Sequence, residues 1–250
     1  MQYIDSHAHL GDCRITDLNV TETQLLETLE NAKVDAAIVQ PYPFSSGEDI
    51  VHDRIYDMCK KHPGKIYGLV SINPHIDKVQ YEKRVRHYIE DCGFLGVKLN
   101  TVGHAVHPHS NDARTVYELA SKLGIPVNIH TGIGVPYSLP SLCLEAAQNY
   151  PEVKFVLAHS GSTIFSEEAL AIAKQCANIY LETSWCSLED SEAMVRQLGS
   201  DRVMMGSDSI KNLPYEVCKY KLMDLTQQQR ENVCFKTASA VFAINKDRKR

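Results

Sequence analysis

The chain has 250 residues, 44% of them hydrophobic and 23% charged, with a formal net charge of −5 and a pI of about 6.1. That length and apolar content suit one globular domain, residues 1–250, with a large core. The acidic balance argues against nucleic-acid and anionic-membrane partners, which attract clustered Lys and Arg, and the one basic cluster, Lys246, Arg248, Lys249 and Arg250, reads as a solubilising frayed end.

In chain order, the first apolar run, YIDSHAHL from Tyr3, predicts a strand. Thr21 and Gln24 form a capping box ahead of Leu25, Leu26, Leu29 and Ala32 on one helical stripe. Strand-like runs follow at VDAAIVQ from Val34, IYGLVSI from Ile66 and FLGVKL from Phe94. Asn111 or Asp112 caps a helix carrying Val116, Leu119, Ala120 and Leu123, which Gly124 and Pro126 stop. VNIH from Val127 and KFVLAHS from Lys154 come next, then Ser166 before Glu167 and Glu168, a helix start. IYLETS from Ile179 and VMMGSDS from Val203 complete eight runs, whose ends fall near positions 9, 40, 72, 99, 130, 159, 183 and 208.

Those ends lie roughly 24 to 32 residues apart, the length of one strand, one crossover helix and two loops. Short, mostly apolar strands suit a parallel sheet buried on both faces. Such alternation folds as a closed barrel or an open doubly wound sheet. Neither G-x-G-x-x-G after the first strand nor a Walker A motif is present. The polar residues then decide for an α/β fold of the (β/α)₈ TIM-barrel type, whose working residues point inward at the C-terminal strand ends. Here those ends carry His7 and His9, Lys98, His130, His159, Glu182 and Asp208. His7 and His9, at i and i+2, share one strand face. So many metal-capable groups on one rim point to a divalent metal. Zn²⁺ is the leading expectation, and Mn²⁺, Fe²⁺, Co²⁺ or Ni²⁺ would also be accepted by these donors.

Five segments carry a family resemblance: IDSHAHLGD at Ile4, GFLGVKLN at Gly93, IPVNIHTG at Ile125, YPEVKFVLAHSG at Tyr150 and RVMMGSDS at Arg202. In this order and spacing the chain resembles the amidohydrolase superfamily, in particular the amidohydrolase-related group of hydrolases and aromatic or enoic-acid decarboxylases. The resemblance implies a distorted barrel with a metal at its mouth. It implies His7, His9 and His130 as ligands and Asp208 as a ligand or catalytic acid/base. It makes His159 a substrate-facing or second-metal residue. The KTASAVF segment from Lys236 departs from the family's usual Asn-Ala pair and is expected to pack the last helix.

The expected activity is hydrolysis of an amide, ester or lactone bond of a small molecule by metal-activated water, with Asp208 moving the proton and His159 stabilising the oxyanion. The alternative is nonoxidative decarboxylation on the same scaffold. Lys98 is read as an uncarboxylated substrate anchor beside one metal; a carboxylated bridge between two metals is the other option. Arg14 is a candidate anion clamp and Trp185 a candidate pocket wall. The loop NTVGHAVHPHSNDA, with His104, His107 and His109, is expected to be a polar surface loop, while His52, His62, His75 and His87 are assigned no function. Barrels of this kind are compatible with homo-oligomers. No basic stretch followed by an apolar core opens the chain, so a cytoplasmic location is expected. The eight cysteines form no C-x-x-C pair and read as free thiols.

Overall fold

In the computed structural model the described residues are 1–14, 16–134 and 136–244. The basic cluster Lys246, Arg248, Lys249 and Arg250 lies outside them. The strands are β1 Ile4–Cys13, β2 Leu18–Val20, β3 Ala36–Pro41, β4 Ile66–Gly68, β5 Val97–Leu99, β6 Val127–His130, β7 Phe155–Ala158, β8 Ile179–Glu182 and β9 Val203–Met204. All except β2 coincide with the apolar runs read from the sequence. Two sheets have the orders β2-β1-β3-β4 and β5-β6-β7-β8-β9. Backbone hydrogen bonds cross both seams between them. Val70 N donates to Gly96 O at 2.9 Å and Lys98 N to Val70 O at 2.7 Å beside β4 and β5. Ser6 N donates to Met205 O at 3.1 Å and Asp208 N to His7 O at 2.7 Å beside β9 and β1. Asp5 reinforces this second seam by accepting from Ser207 N at 2.9 Å and Ser207 Oγ at 2.6 Å. The result is a TIM barrel with helices between its strands.

β2 is an addition to the expected plan. β1 runs on past His9 and pairs antiparallel with β2, Gly11 opposite Val20. Gly11 has φ +90, and a Cβ there would lie 2.9 Å from a methyl group of Val51, so the residue must be glycine for both reasons. Three residues, Leu-Asn-Val, are too few to announce a strand by periodicity.

The capping box at Thr21 forms: its side chain accepts from Gln24 N ahead of the helix Glu22–Ala32. The next cap is shifted from expectation. Ser110, not Asn111 or Asp112, accepts from Ala113 N and starts the helix Asn111–Leu123. Adjacent Ser, Asn and Asp all have N-cap chemistry, so only the backbone path chooses among them. Gly124 ends this helix at φ 64. The helix expected after the sixth strand runs Ser166–Gln175.

Two apolar clusters hold the molecule. The larger packs the helices on the outside of the barrel, with Leu25, Leu29, Ile55, Tyr81, Val116 and Tyr117 among its buried members. The smaller seals the N-terminal floor. There Ile4, Ile38, Leu69, Leu95, Val156 and Met204 meet Ala238, Val241 and Phe242 from the helix Thr237–Val241 and its end. The segment from Lys236 thus packs as expected. His52 is a buried pin: its Nδ1–H donates to Glu48 O at 2.7 Å and its Nε2 accepts from Ser71 N at 2.9 Å. The loop after β5 is not simply a polar surface. His104 and Val106 are buried in it, because Asn100 accepts from Gly103 N at 2.7 Å and folds the loop back on itself. Of the cysteines only Cys218 is exposed. No helix among the described residues is long and apolar enough to cross a membrane.

Candidate active site

The alternation of β1 sends Asp5, His7 and His9 to the inner face of the barrel, all nearly without exposure. His7 Nδ1 lies 2.8 Å from Glu182 Oε2, and His9 Nδ1 lies 3.1 Å from the Pro41 carbonyl. Both partners can only accept, so both Nδ1 atoms carry the proton and both Nε2 atoms carry a lone pair. These two Nε2 atoms sit 3.2 Å apart. Asp208 Oδ1 lies 3.4 Å from His7 Nε2 and 3.2 Å from His9 Nε2. Three electron-rich atoms on two strand ends therefore face one point. Lys98 Nζ, 3.3 Å from His7 Nε2, and Gln40 Nε2, 3.3 Å from His9 Nε2, flank them as donors.

The other rim residues close around this point. His159 Nε2 is 3.9 Å from Asp208 Oδ1, and the His159 ring stacks on His7 at 4.9 Å between centroids. The His130 ring meets His159 edge-on at 4.9 Å, and its Nε2–H donates to Ile133 O at 2.9 Å. Tyr42 stacks on His9 at 4.4 Å. Lys98 donates to Asn128 Oδ1 at 3.1 Å. His7, His9, Lys98, His130, His159 and Asp208 all line one cavity of about 320 Å³, whose apolar side is built by Leu18, Tyr42, Phe44, Val102 and Ile133. Of the two remaining sequence candidates, Arg14 is exposed and outside this lining. Trp185 is half exposed and touches the cluster through a polar atom: its indole Nε1–H donates to Asp208 Oδ2 at 2.8 Å. Its position on a left-handed turn, φ 63, turns the ring edge toward the carboxylate.

The rim is strained. His159, Ser160, Trp185 and Asp208 all have positive φ without being glycine, a conformation costing on the order of 1 kcal/mol or more per residue. It is also electrostatically unbalanced. Burial, with the ammonium of Lys98 nearby, holds His7 well below the usual histidine value and His130 at about 4. Burial does the same to His159. The imidazoles of His7, His130 and His159 are therefore neutral at pH 7. Burial pushes the Asp208 carboxyl up, but His159, His9 and His7 together outweigh it and hold the group well below the ordinary carboxylate range. Burial brings Lys98 down to about 8, against the pull of Asp208 and Glu182. Two carboxylates, Glu182 and Asp208, thus face one weakened ammonium. Neutral imidazole lone pairs, a carboxylate and a deficit of positive charge are the donor set of a divalent cation. His7, His9 and Asp208 have ligand atoms close enough to share one ion. Gln40 Oε1 and Asn128 Nδ2 beside the cluster are buried with no hydrogen-bond partner among the described residues.

Sequence reasoning assigned no role to Glu182, Asp5 or Ser184. For Asp5 a signal existed, since the alternation that aligns His7 with His9 aligns Asp5 with both. For Glu182 the signal was its place at a strand end. Ser184, one residue beyond Thr183 in the loop, gave none.

The model of the amidohydrolase family matches residues 4–244. No curated protein matches the chain. Among solved structures, an uncharacterized TIM-barrel protein from Bordetella bronchiseptica aligns with TM-score 0.82 at 15% identity, covering 97% of this chain and 99% of that one. 2,6-Dihydroxybenzoate decarboxylase from Rhizobium aligns with TM-score 0.76 at 13% identity, over 98% and 99%. 5-Carboxyvanillate decarboxylase from Novosphingobium aromaticivorans, complexed with manganese and 4-hydroxy-3-methoxy-5-nitrobenzoic acid, aligns with TM-score 0.76 at 14% identity, over 97% and 96%. At these identities the likeness is one of fold, and it repeats the barrel built above. The family match is independent of it, and because it runs through all the strands and the whole rim, this chain belongs to the amidohydrolase family.

Proposed function

We propose that the chain is a metal-dependent hydrolase that cleaves an amide, ester or lactone bond of a small molecule carrying a carboxylate. The observation that carries this reading is the convergence of His7 Nε2, His9 Nε2 and Asp208 Oδ1 within 3.2 to 3.4 Å of one another, with both imidazoles fixed as lone-pair donors. His7, His9, Asp208 and, from the next wall, His130 would hold the cation. Zn²⁺ fits such a set, as do Mn²⁺, Fe²⁺, Co²⁺ and Ni²⁺. When bound, the cation supplies Lewis acidity and makes water at this point far more acidic.

The remaining work falls to the chain's own side chains. Asp208 is ionised and oriented by the Trp185 indole, so its Oδ1 takes a proton from water and returns it to the leaving group. His159 Nε2, 3.9 Å from that oxygen, accepts or relays the same proton. The buried ammonium of Lys98 anchors a substrate carboxylate beside the cluster. A cavity of about 320 Å³ excludes a polymer and favours a small substrate.

Nonoxidative decarboxylation is the second reading. It is favoured by Lys98, which would present a substrate carboxyl to the cluster, and by the decarboxylases among the structures of the same fold. Asp208 would then take a proton from water and pass it to the carbon that loses the carboxyl, with CO₂ and the remaining hydroxide accounting for the other product as bicarbonate. The deciding experiment has two steps. Elemental analysis of protein grown with trace metals should find about one equivalent of transition metal per chain. The metal-loaded protein is then offered lactones, esters and amides of small carboxylic acids, and separately aromatic and unsaturated carboxylic acids with detection of CO₂. Acid release without CO₂ supports hydrolysis; CO₂ release moves the chain to the second reading. A metal content near zero that supplementation cannot raise would sink both.

A further inference from the structure

We propose that Glu182, acting with Ser184, is a positioning residue that sets the ring protons of His7 and His159 together, so that imidazole lone pairs from two strands face Asp208 at once. The inference rests on the metal-dependent reading of the site. Glu182 is fully buried at the end of β8. Its Oε2 accepts from His7 Nδ1 at 2.8 Å, from Ser184 Oγ at 2.9 Å and from the His159 backbone N–H at 3.1 Å. Its Oε1 accepts from Ser184 N at 2.6 Å. Four donors occupy the acceptor sites of one carboxylate, and a carboxylate has no proton to return. His7 must therefore carry its proton on Nδ1 and its lone pair on Nε2.

The second imidazole follows one hydrogen bond further on. Ser184 has a single hydroxyl proton, and Glu182 takes it. Ser184 Oγ can then only accept from His159 Nδ1, 2.8 Å away. His159 is thereby left with its lone pair on Nε2, facing Asp208. Glu182 also holds the backbone N–H of His159, whose φ of 64 lies in the left-handed region. One buried carboxylate thus fixes two tautomers and one strained turn. Room for it is made just past the end of the neighbouring strand β9, where a Cβ on Gly206 would lie 2.5 Å from Glu182 Oε1 and 2.9 Å from His7 Cβ. His7, His159 and Glu182 are near enough to one another to hold an ion themselves. His7 Nδ1 is already taken by Glu182 and His159 Nδ1 by Ser184, so this trio orders protons and is not a second cation site.

The test uses Mn²⁺ as the probe and the full chain. Ring ¹⁵N shifts of the metal-free protein report each tautomer, and calorimetry reports Mn²⁺ affinity. Glu182→Gln should weaken Mn²⁺ binding about 10- to 100-fold and disturb the Nδ1–H state of both His7 and His159. Ser184→Ala should release the tautomer of His159 alone and leave Mn²⁺ affinity within about twofold, because His7 keeps its carboxylate partner. Gly206→Ala, which displaces Glu182 without removing it, should follow Glu182→Gln and carries the test if that variant does not fold. Wild-type tautomers in Ser184→Ala, or wild-type Mn²⁺ affinity in folded Glu182→Gln or Gly206→Ala, would overturn the proposal. A wild-type chain that binds no Mn²⁺ would instead defeat the metal-dependent reading, and the ring-nitrogen comparison would still decide the proton relay.

Discussion

The two ends of the barrel are built from the same strands and have opposite character. At the floor, Ile4, Ile38, Leu69, Leu95, Val156 and Met204 form a dry apolar layer sealed by Phe242. At the mouth, a few residues further along the same strands, His7, His9, Lys98, Glu182 and Asp208 crowd together, and four non-glycine residues hold positive φ. Burial alone does not separate the ends, because His7, His9, Lys98 and Glu182 at the mouth are as buried as the floor, while Asp208 beside them is partly exposed. The difference lies in whether the buried groups can satisfy one another. The floor is self-sufficient. The mouth keeps lone pairs facing lone pairs, an arrangement stable only because the rest of the molecule holds it. Function and stability should therefore be separable by position along a single strand.

Four changes test that separation, from the largest effect down. Asp208→Asn should reduce turnover at least about 10³-fold while lowering the thermal midpoint by only a few degrees, since the partly exposed carboxylate loses its contacts with the imidazoles and the indole but no core packing is removed. Steady-state kinetics and calorimetric melting check both halves, and a large loss of stability would contradict the division. Phe242→Ala should do the reverse. It opens a cavity in the floor and should cost roughly 3–5 kcal/mol in urea unfolding, with metal affinity at the mouth unaltered.

The third is a pH effect in the wall. Burial lowers His52 to about 4, against about 6.5 in the unfolded chain. The unfolded state then binds the extra proton first, so stability is full above pH 6.5 and is lost as pH falls toward 4. The loss should reach about 3 kcal/mol for this one group. Unfolding free energies from urea titrations at pH 7 and pH 4.5 should differ by about 2 kcal/mol less in His52→Gln than in the wild type; an unchanged difference would show that His52 can be protonated without cost. Last, Thr21→Ala removes the capping box of the helix Glu22–Ala32. It should cost only about 1 kcal/mol and leave metal binding as it is.

Much of this molecule was legible in its residues. The eight apolar runs became the eight parallel strands because a strand buried on both faces must be short and apolar along its whole length. His7, His9, Lys98, His130, His159 and Asp208 were legible as a group because each stands at the end of such a run, and strand ends converge when a barrel closes. Other features were not. β2 is too short for any periodic signal. Ser110 took a cap that Asn111 and Asp112 could equally have filled. Arg14 stands close to the H-x-H pair in sequence yet is exposed outside the cavity, although Cys13, Thr16 and Leu18 around it in the chain line that cavity.

The sequence by itself determined the order and spacing of the elements and which ionisable groups reach the rim, because these depend on periodicity and chain length alone. Only the tertiary structure decided how those groups face one another. That Glu182 receives protons from His7, Ser184 and the backbone of His159, and that Trp185 turns a polar edge to Asp208, depends on atoms up to 175 residues apart. Hydrogen bonds are directional and short-ranged, so no local pattern encodes such pairings; they exist only once the barrel has closed.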